Sequence, residues 1–303
     1  LIYRNNFTIQ IYRVILMTDK ITKIMNKNPI VLKAPASRTD ALKLMAKKNV
    51  SALPIVDEED TFLGIVSRRD IFENPKEEQI ALLMRKDGPK IMNTESIAEA
   101  VNSMIKINRR HIAIVNDKNK LQGIITPKEF LKIIIEENIA NPIEKYIRNP
   151  CIPIYIDVPL KVVYKTMSLT KLTAFPIIDD DLNLVGIITD RDIINSAKVD
   201  VSTSMSQVGM GEDEDAWTWE GIRNVLKILY LEEKLEIPAI KVSELMIKDP
   251  VYAHTKTPIS KVASIMVDND FSQLPVKNAY DDLVAMIYDI DLISVLSQHQ
   301  HYK

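Results

Sequence analysis

Cysteine and glycine are scarce in this chain of 303 residues, and it has neither a strong net charge nor a long apolar run. Its one cysteine, Cys151, can form neither an internal disulfide nor a thiolate metal cluster, so the composition fits a reducing compartment. Lysine and arginine total 39 against 41 aspartates and glutamates, which argues against duplex DNA or an anionic membrane as the main partner. No apolar run reaches the roughly 18 residues that a membrane helix needs. We therefore expect a cytoplasmic protein that binds no nucleic acid and no membrane.

Sequence signatures of catalysis are also missing. The chain has no Walker-type loop, no Gly-x-Gly-x-x-Gly motif and no Gly-x-Ser-x-Gly elbow. Its four histidines, His111, His254, His299 and His301, lack the spacing of metal ligands. These absences predict a protein that is not an enzyme and has neither a metal site nor a catalytic cofactor.

The sequence does contain a fourfold internal repeat. Each copy ends in a similar segment that runs from a small residue to an acid: Gly64–Asp70, Gly123–Glu129, Gly186–Asp192 and Ala285–Asp291. A second marker lies 45 residues before each final acid: Met25, Met84, Ile147 and Met246. Because this spacing is the same in all four copies, the repeat is not a chance match.

Apolar patterning predicts the same order of elements in each copy: strand, helix, strand, strand, helix. The first strand is predicted from short apolar runs such as Pro29–Leu32, Cys151–Ile156 and Pro250–Tyr252. The predicted fold class is therefore mixed α/β, with β-α-β-β-α units at residues 21–73, 81–135, 143–197 and 242–296. A unit of about 55 residues is only marginally stable alone, so we expect the copies to pair within 21–135 and within 143–296.

Two segments lie outside the repeats. Residues 1–20 are predicted to be a poorly ordered leader or an added strand, and Arg4 and Arg13 argue against a signal peptide. Residues 198–241 are predicted to begin as a flexible polar linker with the acidic run Glu212–Asp215. A helix is predicted to follow from about Trp217 to Leu235.

The repeat resembles the CBS domain, named after cystathionine β-synthase. The resemblance rests on Ile24-Met25 with Asn28-Pro29-Ile30, on Ser51–Asp57 and on Gly64–Asp70, and it recurs in all four copies. In this family two domains pack as a pseudo-twofold Bateman module. Two modules can form a disc, as in the gamma subunit of AMP-activated protein kinase, whose architecture this chain resembles. The resemblance implies a non-catalytic sensor of adenine nucleotides (AMP, ADP or ATP), with ligand clefts between paired domains and an unknown protein partner or a second copy of itself.

The end of each repeat segment has two interpretations. Three copies share a hydroxyl residue followed by an acid three positions later: Ser67 with Asp70, Thr126 with Glu129, and Thr189 with Asp192. This pattern is typical of a capping box, a structural role that we favour for Glu129. The resemblance implies ribose binding for Asp70 and Asp192 instead, since the shorter acid reaches back less well and can accept two vicinal hydroxyls. For Asp291, where Tyr288 replaces the hydroxyl residue, both interpretations stay open.

The resemblance also implies where phosphates bind. In this family the two residues before each second strand face the cleft, and here they are Ser51-Ala52, Arg110-His111, Thr173-Ala174 and Ser272-Gln273. Only the second pair is basic, and Lys128 matches a phosphate-binding lysine, so Arg110, His111 and Lys128 are expected to converge on one anion. Three further arginines lie beside the predicted ribose acids: Arg68, Arg69 and Arg191.

The resemblance implies that the base is held by the first strand of each copy. The corresponding residues are Ile30, Pro89, Ile152 and Val251, for which plain core packing is the alternative. Two other functions stay open. One is a sensor of an S-adenosylmethionine-type ligand, in which the cations would be idle. The other is a ligand-free scaffold for protein–protein contacts.

Overall fold

The computed structural model of the protein describes residues 18–74, 77–86, 88–148, 151–196, 198–206 and 228–297. Copy one has strands Leu32–Lys33, Ala52–Val56 and Phe62–Ser67 and helices Arg38–Lys48 and Arg68–Glu73. Copy two has strands Arg85–Lys86, Lys90–Met92, Ile112–Val115 and Leu121–Ile125 and helices Ile80–Leu83, Ile97–Ile107 and Pro127–Glu136. Copy three has strands Ile154–Tyr155, Ala174–Ile178 and Leu184–Thr189 and helices Leu160–Thr170 and Asp190–Ser196. Copy four has strands Ile247–Lys248, Ala253–His254, Gln273–Lys277 and Leu283–Tyr288 and helices Ile259–Asn269, Asp289–Leu292 and Ser294–Ser297.

The first long helix of each copy has sequence signals at both of its ends. Ser37 and Ser96 cap the helices of copies one and two through capping boxes with Asp40 and Glu99. In copies three and four, Pro159 and Pro258 stand directly before the helix. All four helices end on a residue in the left-handed conformation: Asn49, Asn108, Lys171 and Asp270. The chain therefore turns at the same place in every copy, just before the second strand.

The first strand differs from the sequence prediction in its position. It begins at Leu32 rather than Pro29 in copy one, at Ile154 in copy three and at Ala253 in copy four. This strand runs parallel to the second strand, and only two residue pairs form in copy one, Leu32 with Ile55 and Lys33 with Val56. The predicted runs contain prolines, which have no N–H to donate to a sheet. The preceding apolar residues therefore remain irregular.

Residues 198–206 and 228–236 pair as an antiparallel two-stranded hairpin, with Lys198 opposite Glu236 and Ser206 opposite Ile228. The predicted flexible linker is therefore a strand over 198–206, and the predicted helix is a strand over 228–236. The alternation of Val199, Val201 and Thr203 has the period of a strand, and the nine-residue ladder satisfies the backbone of both segments. The first half of the predicted helix lies outside the described residues, as do residues 1–17 of the predicted leader.

Copies one and two pack through their sheets, and so do copies three and four. Between copies one and two, Phe62 N–H donates to the Asn119 carbonyl, and a buried cluster unites Phe62 and Ile65 with Ala113 and Val115. The strand Arg85–Lys86 of copy two also pairs with the third strand of copy one. Between copies three and four the equivalent cluster contains Ala174, Ile187, Met286 and Tyr288.

The two pairs then pack against each other through their helices. Copies two and four share one large core, in which Phe130 and Leu131 are grouped with Ile259 and Met266. Copies one and three interlock through single side chains, since Phe72 of copy one packs in the core of copy three and Ile194 of copy three packs against the core of copy one. This arrangement brings the helix starts of all four copies toward one region.

Candidate functional site

The backbone places two short segments of each copy side by side. The N–H of the first helical residue donates to the carbonyl of the residue that enters the second strand, for Arg68 to Ser51 at 3.0 Å and for Asp190 to Thr173 at 2.9 Å. Asp289 donates to Ser272 at 2.9 Å in the same way. In copy two the equivalent residue is Pro127, which has no N–H. The side chains of these paired segments line two neighbouring cavities.

The first cavity, which we call the arginine cavity, has a volume of about 190 Å³ and is lined by all four copies. Its lining includes six arginines: Arg68, Arg69, Arg85, Arg109, Arg110 and Arg191. It also includes four aspartates: Asp70, Asp190, Asp192 and Asp270. The cavity therefore carries two more positive than negative charges.

The second cavity, which we call the lysine cavity, has a volume of about 180 Å³. It is lined by Ile30 and Ala52 of copy one and by Lys128 of copy two. Several residues line both cavities: Ser51, Arg110, His111, Arg191, Asp270, Phe271 and Ser272. The two cavities are therefore neighbours with a common wall.

Asp70 and Asp192 act as helix caps and also line the arginine cavity. One carboxylate oxygen of Asp70 accepts from the Ser67 N–H at 2.8 Å and from its hydroxyl at 2.6 Å. Asp192 accepts from Thr189 with the same two distances. The second oxygen of Asp70 pairs with Arg85. The capping role and the predicted ribose role therefore use different oxygens of one carboxylate, and both stay compatible with the geometry.

Arg110 is held by an aspartate from another copy. Its Nε lies 3.0 Å from both carboxylate oxygens of Asp289, and its Nη2 lies 2.5 Å from one of them. Burial alone would lower the pKa of this guanidinium, but Asp289 outweighs it and the pKa is raised. Asp289 itself is almost completely buried. The pair therefore ties copy two to copy four.

His111 is neutral in this structure. Burial is the largest reason why the pKa of His111 lies well below 6.5, and the guanidiniums of Arg110 and Arg68 lower the pKa further. Its Nε2 lies 2.9 Å from the Ser51 hydroxyl. The imidazole therefore adds no positive charge to either cavity.

Three other cations also meet carboxylates across copies. Arg68 Nε lies 3.5 Å from Asp190, although no hydrogen bond forms in this geometry. Asp270 lies between two cations, at 3.1 Å from Lys128 Nζ and 3.6 Å from Arg191 Nη2. Arg110, His111 and Lys128 were predicted to converge on one anion. All three line the lysine cavity, where Arg110 and Lys128 already have carboxylate partners, and Lys128 does not line the arginine cavity.

Four predicted residues of the second module line neither cavity: Ile152, Ala174, Val251 and Asp291. Asp291 is buried and accepts the Tyr288 N–H at 3.1 Å, and it lines neither cavity. Ile152 packs against the core of copy three, and Ala174 is 1% exposed beside Tyr288. Val251 is exposed and also lines neither cavity. Tyr288 therefore occupies apolar space between copies three and four, and burial raises its pKa.

The structure brings most of the other predicted residues together. Those that line the arginine cavity are Ser51, Ser67, Arg68, Arg69, Asp70, Pro89, Arg110, His111, Thr173, Thr189, Arg191, Asp192 and Ser272. Those that line only the lysine cavity are Ile30, Ala52 and Lys128.

Five charged residues at the site were missed by sequence reasoning: Arg85, Arg109, Asp190, Asp270 and Asp289. A signal was present for one of them, because Arg109 occupies a repeat position where the other copies have Val50, Leu172 and Phe271. No local signal pointed to Asp289, because its partner is 179 positions away in sequence.

The chain belongs to the CBS-domain family. The family model for the CBS domain matches residues 21–77, 78–136, 143–198 and 242–298. This match and the pairing of the sheets confirm the predicted architecture of four CBS domains in two Bateman modules.

Two solved structures are similar in fold along almost the whole chain. The crystal structure of MJ1225 from Methanocaldococcus jannaschii, whose description proposes it as an archaeal homologue of the gamma subunit of AMP-activated protein kinase, has a TM-score of 0.72. It is 22% identical and covers 91% of this chain and 99% of its own. A protein from Pyrococcus horikoshii has a TM-score of 0.61 at 24% identity and covers 92% of this chain and all of its own. These likenesses show the fold.

Two relatives by sequence come from Methanocaldococcus jannaschii. MJ1225 is 24% identical over 203 residues, and the match covers 59% of this chain and 70% of that protein. MJ1232, from the same organism, is 39% identical over 97 residues, which are 31% of this chain and 32% of that protein. Both are described as uncharacterized.

Two features are absent from the described residues. No helix there is long and apolar enough to span a membrane. No group of three or more His, Cys, Asp or Glu side chains in that part of the chain is placed to hold a metal ion.

Proposed function

We propose that the protein is a non-catalytic cytoplasmic sensor that binds an adenine nucleotide in the arginine cavity and changes its contact with a protein partner or a second copy. One observation carries this proposal: two acids with the ribose-binding pattern, Asp70 and Asp192, line the same cavity as six arginines. Carboxylates suit ribose hydroxyls and guanidiniums suit phosphates. A nucleotide offers both groups in one molecule.

The position of the cavity supports a sensing role. All four copies contribute to its wall, and ion pairs such as Arg110 with Asp289 cross between the modules beside it. A ligand that interacts differently with two arrangements of the modules shifts the equilibrium between them. The binding energy of the ligand can thereby alter a surface of the protein that is distant from the cavity.

A second candidate is a sensor of an S-adenosylmethionine-type ligand. It is favoured by the pairing of Arg110 with Asp289 and of Lys128 with Asp270, because the two cations first expected to bind phosphate already have carboxylate partners. Such a ligand carries an adenosine but no phosphate. A scaffold without ligand is favoured only in the second module, where Tyr288 fills apolar space.

Calorimetric titration of the full chain with AMP, ADP, ATP, adenosine and S-adenosylmethionine separates these functions. Nucleotide binding tighter than adenosine binding supports the proposal. Tighter binding of S-adenosylmethionine than of any nucleotide would overturn the nucleotide sensor in favour of the second candidate. If none of the five ligands binds, the ligand-free scaffold is favoured.

Asp192→Asn tests the ribose role directly. The amide keeps an acceptor for the Thr189 cap but replaces the second acceptor oxygen by a donor. The loss of one charged hydrogen bond of about 1.5–3 kcal/mol should weaken the binding of a nucleotide whose ribose lies at Asp192 ten- to hundredfold. Asp117→Asn on the exposed surface removes the same charge and should have no effect. Unchanged affinity together with a lower free energy of unfolding would show that Asp192 acts only as a cap.

A further inference from the structure

Three arginines form a local concentration of positive charge in the wall of the arginine cavity. They are Arg69, Arg85 and Arg109, and we call them the arginine triad. Arg69 donates to Glu73 at 2.9 Å, and Glu73 also lies 3.5 Å from Lys171. Arg85 shares Asp70 with the helix cap of Ser67. The two acids beside the triad, Glu73 and Asp70, therefore each have a second partner: Lys171 for Glu73 and Ser67 for Asp70.

Arg109 is the member of the triad without a carboxylate partner in the part of the chain that the structure describes. It is half-buried, and a charge held away from water without a partner is costly. Burial is the largest reason why its pKa falls to about 10, and repulsion by Arg85 and Arg69 lowers the pKa further. The side chain is still a cation at neutral pH. An anion between these guanidiniums would offset both the cost of burying Arg109 and its repulsion by Arg85 and Arg69.

The repeat supplies an independent reason to regard Arg109 as specialised. The same position is apolar in the other three copies, where it is Val50, Leu172 or Phe271. Arg85 follows the marker Met84, and its counterpart in copy three, Arg148, is exposed and lines neither cavity. Copy two therefore differs from the other three copies at Arg109, a cavity residue at a position where the other copies carry no charge.

We propose that the arginine triad binds the phosphate of a nucleoside 5′-monophosphate whose ribose lies at Asp70. The proposal deepens the proposed function and rests on it. Arg109 is the one arginine of the cavity lining without an ion pair among the described residues, so its charge is available to a phosphomonoester, which carries about −1.5 to −2 charges near pH 7. Arg110 and Lys128 then keep their aspartates, and neither pair has to break for the ligand to bind.

The ion pair of Asp70 with Arg85 explains why both ends of the ligand are needed. Ribose hydroxyls that donate hydrogen bonds to Asp70 compete with Arg85 for this carboxylate, and the phosphate then pairs with Arg85. If the 2′ and 3′ hydroxyls contact Asp70, the phosphate must be attached at the 5′ carbon. A nucleoside without phosphate would leave Arg85 unpaired, and phosphate alone would leave Asp70 unpaired.

Calorimetry of the full chain with Arg109→Ala tests the triad, using AMP, ADP, ATP, adenosine and inorganic phosphate as probes. AMP affinity should fall ten- to hundredfold and adenosine affinity less than threefold, because the lost contact is with the phosphate. Arg109→Lys should restore part of the AMP affinity. Arg148→Ala, which removes an exposed arginine outside both cavities, should bind every probe like the parent protein.

The outcomes separate this inference from the proposed function. If the parent protein binds AMP and Arg109→Ala binds it equally well, the triad is overturned and the nucleotide sensor stands. If no nucleotide binds but inorganic phosphate binds in an Arg109-dependent manner, the anion site stands and the nucleotide sensor is overturned. Tighter binding of ATP than of AMP would overturn the assignment to a monophosphate.

Discussion

The hydroxyl of Tyr288 is buried and has no hydrogen-bond partner among the described residues. The ring lies in one apolar cluster with Ala174, Ile187 and Met286, at the position where three copies have Ser or Thr as a helix cap. Burying a hydroxyl without a partner costs about 1–3 kcal/mol. Tyr288 shows that one residue difference between copies can convert a helix-cap position into part of the hydrophobic core.

Tyr288→Phe should therefore raise the free energy of unfolding by about 1 kcal/mol, because it removes the unpaired hydroxyl and keeps the ring. Denaturant unfolding of the full chain measures this change. Tyr280→Phe is the matched control, since Tyr280 is 87% exposed and its hydroxyl can reach water. A loss of stability in Tyr288→Phe would mean that the hydroxyl has a partner in solution.

Asp70 and Asp192 show at the same scale that a capping box and a ligand contact are not exclusive. In each, one oxygen accepts both bonds from the cap residue, and this leaves the other oxygen for a different partner. In Asp70 that partner is Arg85, whereas Asp192 has no ion pair among the described residues. A substitution of Asp192 therefore tests ribose binding without breaking an ion pair, whereas a substitution of Asp70 also removes the partner of Arg85.

At the scale of secondary structure, two glycines of the repeat lie where the third strand pairs with a segment of the neighbouring copy. A Cβ on Gly123 would lie 2.6 Å from the Asn26 carbonyl oxygen, which belongs to the backbone of copy one. A Cβ on Gly186 would lie 2.5 Å from Met246 Sδ, which belongs to a flexible side chain. The same motif position therefore tolerates a methyl group to different degrees.

We expect Gly123→Ala to lower the free energy of unfolding by about 1–3 kcal/mol, because the backbone at Asn26 would have to move. Gly186→Ala should cost less, since a methionine can adopt another rotamer. Ala285 already occupies this position in copy four. Paired denaturant titrations of the two variants measure the difference. Equal losses in the free energy of unfolding would show that the contact with the Asn26 backbone does not limit substitution at Gly123.

At the scale of the whole molecule, ion pairs between copies hold the two modules together beside the cavities. The helix starts of copies one and three meet through Arg68 and Asp190, which occupy the same repeat position. In copies two and four that position holds Pro127 and Asp289, and Arg110 supplies the charge that Pro127 cannot. The cations that line the cavities therefore also serve the contact between modules.

Arg110→Met should lower the free energy of unfolding by about 3–5 kcal/mol, since it leaves the buried carboxylate of Asp289 without a counter-charge. Lys128→Ala breaks a pair whose side chains are about half exposed and should cost at most about 1 kcal/mol. Denaturant unfolding compares the two variants.

The double variant Arg110→Met with Asp289→Leu removes both charges and should recover most of the lost stability. If the single variant Arg110→Met were as mild as Lys128→Ala, the pair would not contribute to the contact between modules.

Local sequence patterns predict the four copies, their order of strands and helices, and the acids at the helix starts. Side-chain periodicity, turn residues and caps are local properties that recur in every copy, and the marker and the final acid are 45 residues apart in each. The family follows from the same residues. The hairpin strand at 228–236 was mistaken for a helix because its ladder depends on a partner segment elsewhere in the chain.

Which charged side chains are free to bind a ligand depends on how the copies pack. Arg110 and Lys128 have the residue types of phosphate ligands, but packing places Asp289 and Asp270 against them. Arg109 was adjacent in sequence and differed from its three counterparts, yet its lack of a carboxylate partner among the described residues became visible only in the folded chain. Ion pairs between copies depend on how the modules pack, and no local sequence pattern encodes that packing.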